Sequence, residues 1–177
     1  MSKIDELRKL KQEQLKAEMP MYVQGEGVWE GTYRHLDPDA KIIDEHKSRL
    51  IIRMPDEGEH PIIQTNLYYW PDGRVEKREF KVKYENRRII YDNALIKGYF
   101  AEISEDDHNQ TLLGYWRRHG LDGVFFYEII VRQSATGHRT RTWQWVNDTG
   151  GVYRRTLIDE KKVSHDWKTH AHHLNDA

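Results

Sequence analysis

From Gly27 onward the chain repeats with a period of two, and the turns between the repeats are too short to hold a helix. Side chains of a strand alternate between its faces, so this period signals β-structure. Strand-like segments cover residues 28–36, 42–53, 62–70, 74–84, 87–91, 95–103, 111–118, 124–133, 138–146 and 152–160. Pro71-Asp72-Gly73 is a strong hairpin turn, because Pro fixes φ and Gly accepts positive φ. Short loops make consecutive strands antiparallel neighbours. With no crossover helix, parallel βαβ folds are excluded. An open ten-strand meander would leave two long edges, and closing it removes them. The prediction is an all-β, antiparallel up-and-down barrel of about ten strands with an N-terminal helix. A β-sandwich is the rival, but its Greek-key connections need longer crossings than most loops here provide.

Residues 2–18 form the predicted helix. Ser2 can cap it, Asp5 and Glu6 suit its positive end, and Pro20 stops it. Ile4, Leu7, Leu10 and Leu15 repeat at helical spacing, which predicts a helix packed by that stripe over the main body. The expected organisation is a helix over residues 1–20, a barrel over 21–163 and a His-containing tail over 164–177. Several strands carry apolar residues on both parities. That pattern predicts a partly covered outer wall, with a homodimer as one way to cover it.

Composition narrows the chemistry. The 177 residues include no Cys, which removes disulfides, thiolate zinc sites, iron–sulfur clusters and a Cys nucleophile together. The net charge is -1, so a general nucleic-acid binder is not expected. No apolar run approaches the roughly 20 residues of a spanning helix, and the N-terminus lacks the apolar stretch of a signal peptide. No membrane partner is expected, and the cytoplasm is the predicted compartment.

Gly27-Val28-Trp29 opens the first strand directly after the helical region. It resembles the Gly-x-Trp signature of the lipocalin and wider calycin superfamily. The resemblance implies that Trp29 plugs one end of the barrel while an Arg from a late strand packs on its ring. Arg154 and Arg155 are the matching positions, and Arg155 is taken with Gly27 and Trp29 as the closure set. The stretch from Gly27 to about Val163 is also similar to an uncharacterised calycin-like bacterial family. Residues 28–33, 44–49, 66–74 and 141–145 carry that similarity. It implies the barrel and little about activity, since calycins include carriers, haem proteins, lyases, decarboxylases and cyclases.

A barrel of this size can hold one small ligand. Arg139, Arg141, Trp143 and Trp145 share a strand face, and two indoles beside two guanidiniums suit a flat, anionic or phenolic molecule. Gln64, Asn66, Tyr68 and Trp70 share another face, which forms a polar wall if it points inward. Tyr33, Tyr68, Tyr99, Tyr115 and Tyr127 can donate to a phenolate or carbonyl. His35, His46 and Glu128 are the acid–base candidates. His46 shares its face with Asp44 and Ser48; neighbours on a strand face stand about 6.5 Å apart, so alternation alone makes no working triad, but Asp44 can orient His46 through a hydrogen bond. Glu128 interrupts an apolar strand and needs an Arg partner, with Arg117 and Arg141 the candidates. His165, His170, His172 and His173 crowd the tail without apolar residues to fix them, so no metal site is predicted. Protease, phosphate-loop and hydrolase-elbow motifs are absent.

The expected function is binding of a small, partly aromatic, phenolic or anionic molecule in the barrel, with no cofactor. The expected ligand set is Tyr33, Asn66, Tyr68, Tyr99, Tyr115, Arg117, Tyr127, Arg141, Trp143 and Trp145. The alternative is a cofactor-independent isomerase, lyase or dehydratase with His46 and Glu128 as catalytic groups. A haem-binding barrel of the nitrobindin kind, and a purely structural or partner-binding barrel, are further alternatives.

Overall fold

The computed structural model describes residues 2–175; Met1 and residues 176–177, the extremes of the predicted helical segment and tail, lie outside them. Among the described residues, ten strands close into an antiparallel barrel. They are β1 (Gly27–Leu36), β2 (Ile42–Arg53), β3 (Ile62–Tyr69), β4 (Val75–Glu85), β5 (Arg88–Asp92), β6 (Ile96–Glu102), β7 (Thr111–Arg118), β8 (Phe125–Gln133), β9 (His138–Val146) and β10 (Val152–Ser164). Each strand pairs with its neighbours in sequence, and β10 returns to β1. The predicted up-and-down barrel is the fold. Closure leaves no unpaired sheet edge. The β3–β4 turn forms as the sequence implies, with Gly73 at φ 86°.

Two helices precede the barrel, α1 (Lys3–Glu18) and α2 (Pro20–Val23). Ser2 and Asp5 form a capping box, each side chain accepting from the other's backbone N–H at 3.2 and 3.3 Å. The apolar stripe does not do what its spacing predicts. Ile4, Leu7 and Leu10 are exposed, while Arg8 and Leu15 are buried. The cause is the β2–β3 loop, whose backbone carbonyls need donors. Arg8 donates to the carbonyls of Gly58 (2.7 Å) and Asp56, and Gln12 to those of Pro55 (3.0 Å) and Pro61 (3.1 Å). Those bonds turn the Arg8–Gln12–Leu15 face inward, so of the stripe only Leu15 is buried and Ile4, Leu7 and Leu10 stay in water.

Leu15, Met19, Met21 and Tyr22 are buried together with Trp29 and close one end of the barrel. Trp29 donates its indole N–H to the Gly25 carbonyl at 2.8 Å. Its cationic partner is not Arg155. Arg139 lies over the ring at 4.0 Å and Lys162 at 5.0 Å. Trp29 pairs with Lys162 in register, whereas Arg155 pairs with Leu36 toward the far end of the barrel and donates to the Pro38 carbonyl. After β10, a 3₁₀ helix (Trp167–Asn175) lies outside the wall, held by Arg49–His173 (2.7 Å) and Lys168–Asp56 (2.8 Å). No described helix is long and apolar enough to cross a membrane.

A buried ion network braces the middle of the barrel. Arg141 donates to Glu128 (2.6 Å), Glu160 (3.4 Å) and the Tyr33 hydroxyl (2.9 Å), and Arg139 pairs with Glu160. Each glutamate has a glycine directly across the strand pair: Glu160 faces Gly31 and Glu128 faces Gly114. A methyl group at Gly31 would lie 2.6 Å from the Glu160 Cγ, and one at Gly114 would lie 2.6 Å from the Trp116 indole nitrogen that bonds Glu128. Gly31 leaves room for the β10 backbone and the Glu160 side chain, and Gly114 for the Trp116 indole and the Phe100 ring.

Candidate ligand-binding site

Strand parity decides which predicted residues can meet a ligand. Gln64, Asn66, Tyr68 and Trp70 point inward, as do Glu128 and the Arg141–Trp143–Trp145 row. These groups and Tyr33 line one cavity of ≈ 460 Å³, within the usual range for small-molecule pockets. Tyr99, Tyr115, Arg117 and Tyr127 do not line it. They stand on the opposite parity, and their rings pack against one another on the outer wall, Tyr115 lying 5.6 Å from Tyr127 and 6.4 Å from Tyr99. The inward positions of those strands are taken by Phe100, Trp116 and Phe126.

The cavity opens at the end opposite α1, where the β1–β2, β3–β4, β5–β6, β7–β8 and β9–β10 loops gather. The polar wall is satisfied within the protein. Tyr22 and Tyr91 share a hydroxyl–hydroxyl bond of 3.1 Å, Tyr91 donates to Gln64 (3.0 Å), Gln64 to Asn66 (2.8 Å) and Asn66 to the Tyr68 hydroxyl (2.8 Å). Burial raises the Tyr33, Tyr68 and Tyr91 phenols above their ordinary range, so all three are neutral hydrogen-bonding groups.

Arg141 and Glu128 are likewise committed. Burial opposes the charge on Arg141, but Glu128 and Glu160 outweigh it and hold the guanidinium protonated. Glu128 accepts from Arg141 through one oxygen and from Trp116 (3.1 Å) through the other. The Trp143 indole N–H is buried with no hydrogen-bond partner.

The charge that sequence reasoning missed sits at the mouth. Arg74, Arg78, Arg118 and Arg154 line it against the carboxylates of Asp44 and Glu76. Arg78 pairs with Glu76 at 2.5 Å, and Arg74 stacks on Trp70 at 3.9 Å. Burial and then the neighbouring Arg78 push Arg118 below its ordinary value, the mark of an under-compensated cation. The available signal was position: Arg74, Arg118 and Arg154 lie at or next to strand ends that converge once the hairpin order is fixed, with Arg78 one turn of the pleat further into β4.

His46 and His35 sit beside this mouth. His46 is buried, its ring 5.1 Å from Tyr33 and 4.5 Å from Trp70, and its Nδ1 lies 2.7 Å from Asp44 Oδ2. His35 faces Asp44 across the β1–β2 hairpin, its Nε2 3.9 Å from the same oxygen. Burial pulls His35 down to about 4, leaving it neutral at pH 7. Burial works to raise Asp44, yet hydrogen bonds from His46 and Trp70 overcome it and keep the carboxylate ionised.

Residues 18–165 match the family described as "Domain of unknown function (DUF3598), N-terminal". The chain therefore belongs to the DUF3598 family. Among solved structures it is similar to a protein of unknown function from that family in Nostoc punctiforme, at 17% identity and a TM-score of 0.54. That match covers 80% of this chain and 48% of the other, so the chain spans about half the length of the Nostoc protein. It is also similar to Rv2717c from M. tuberculosis, at 11% identity and a TM-score of 0.53, covering 84% of this chain and 96% of that one. At such identities the likeness shows the barrel fold alone. No curated protein matches the chain.

Proposed function

We propose that the barrel binds one small, planar aromatic molecule carrying an acidic or phenolic group. The observation that carries this reading is a ≈ 460 Å³ cavity with an arginine-lined mouth and aromatic walls. The rings of Phe126, Trp143 and Trp145 stand 4.3–5.9 Å apart and offer flat surfaces to a guest. Arg118 and Arg154 supply the anion contact at the mouth, since Arg141 already serves two glutamates. A calycin-like carrier would use its cavity in this way.

The test is tryptophan fluorescence and calorimetry against a panel of aryl carboxylates, phenols and neutral aryl alcohols. Quenching by the acids, weakened about tenfold or more by Arg118→Met with Arg154→Met, is expected. Neutral alcohols should respond little to those changes. A panel that gives neither quenching nor a thermal shift would end this reading.

One observation favours a catalytic version. The Asp44–His46 pair presents an oriented imidazole beside the cavity, as a general base requires. Glu128 is not available for that role because both its oxygens are occupied. Turnover of a bound ligand that survives His46→Ala would remove the catalytic version while leaving binding intact.

A further inference from the structure

His35, Asp44 and His46 place one ligand atom each within 4.8 Å of one another. Two imidazoles and one carboxylate are a donor set that suits a divalent first-row transition metal. The set is assembled by the hairpin: His35 on β1 pairs with Asp44 on β2, and His46 follows two residues on, on the same face. Metal–ligand bonds of about 2.0–2.2 Å place donor atoms about 3–4 Å apart. The 3.9 Å from His35 Nε2 to Asp44 Oδ2 falls in that range, and the 2.7 Å from His46 Nδ1 to the same oxygen lies just below it.

Two of the atoms that would not face a metal are already held. Trp70 donates its indole N–H to Asp44 Oδ1 at 3.0 Å, and His35 Nδ1 lies 2.8 Å from the Thr156 hydroxyl. Outer contacts of this kind orient metal ligands and fix their tautomer. The three residues also line the cavity, so coordination positions not filled by protein would open toward its interior. Among the described residues this is the one His–carboxylate group of its kind.

We propose that His35, Asp44 and His46 form a three-ligand site for a divalent transition metal at the cavity mouth. In the metal-free chain the Nδ1 proton of His46 bridges to Asp44. On binding, the metal takes that place and His46 carries its proton on Nε2. This inference is independent of the aromatic ligand, because metal uptake is measured with no organic molecule present.

The test uses the full chain carrying His170→Gln, His172→Gln and His173→Gln, which removes the competing tail. Titration with Co²⁺ alone should give a visible ligand-field band saturating at one metal per chain. Asp44→Asn and His35→Gln should each weaken Co²⁺ binding by about tenfold or more, with unchanged circular dichroism. In the unsubstituted chain, Zn²⁺ should shift the Trp70 indole N–H resonance, a readout that needs no change at the site. The proposal fails if Co²⁺ binding is absent in the tail-substituted chain, or if it survives both Asp44→Asn and His35→Gln. It fails equally if the Trp70 resonance stays fixed while the tail resonances move.

Discussion

At the residue scale, the buried charges carry the sharpest consequences. Arg141→Met would leave Glu128 with a single donor, Trp116, and strip one partner from Glu160. Removing one side of a buried pair costs about 3–5 kcal/mol. Urea unfolding of Arg141→Met should show a loss of that size, and a loss below about 1 kcal/mol would mean the pair is solvated. Lys162 gives a pH signature. Burial, with repulsion from Arg132 and Arg139, brings its ammonium down to about 8 from the usual 10.5. The unfolded chain therefore binds more protons between these values, so stability rises with pH from about 8 to 10.5. That rise should flatten in Lys162→Met when unfolding is followed across the window. Pairings of this kind were only partly legible. Glu128 inside an apolar strand announced an Arg partner, and Arg141 was one of two candidates. Trp29 announced a cation but not which one, because register across β1–β10 brings Lys162 beside it and Arg139 over it.

At the element scale, hairpin turns and strand periods were readable because each rests on local chemistry. Facing was not. On β8, Phe125 and Phe126 are equally apolar, and only the closed barrel puts Phe126 inside with Tyr127 on the outer wall. The same ambiguity placed Tyr99 and Tyr115 in the expected cavity when they belong outside. α1 misled for a different reason. Its stripe of Ile4, Leu7 and Leu10 obeyed helical spacing, yet the loop carbonyls captured Arg8 and Gln12 instead. Arg8→Met should release α1 from the β2–β3 loop while the barrel persists. Limited proteolysis should then cut within residues 3–18, with little change in the strand signal of circular dichroism. The cross-strand glycines make a second expectation here. Gly31→Ala and Gly114→Ala overpack the wall and should each cost about 1–3 kcal/mol in urea unfolding.

At the scale of the whole molecule, the two ends of the barrel differ. Helices and apolar side chains seal one, and arginines frame the other. An anionic quencher should therefore reach the cavity tryptophans more readily than a cationic one. Iodide should quench more than caesium, and Arg118→Met with Arg154→Met should narrow the difference. The His35–Asp44–His46 cluster was out of reach of motif reading for a related reason. Its members come from two strands and meet only through hairpin register. The topology has one more consequence. Every strand pairing but the β1–β10 seam joins neighbours in sequence, so that seam is the long-range step of folding, where chain entropy is lost before contacts repay it. A late seam would leave the folding rate nearly blind to damage there, while the native state would open faster. Stopped-flow kinetics of Gly31→Ala should show its whole deficit in the unfolding limb, and a slowed folding limb would place closure of the ring early instead.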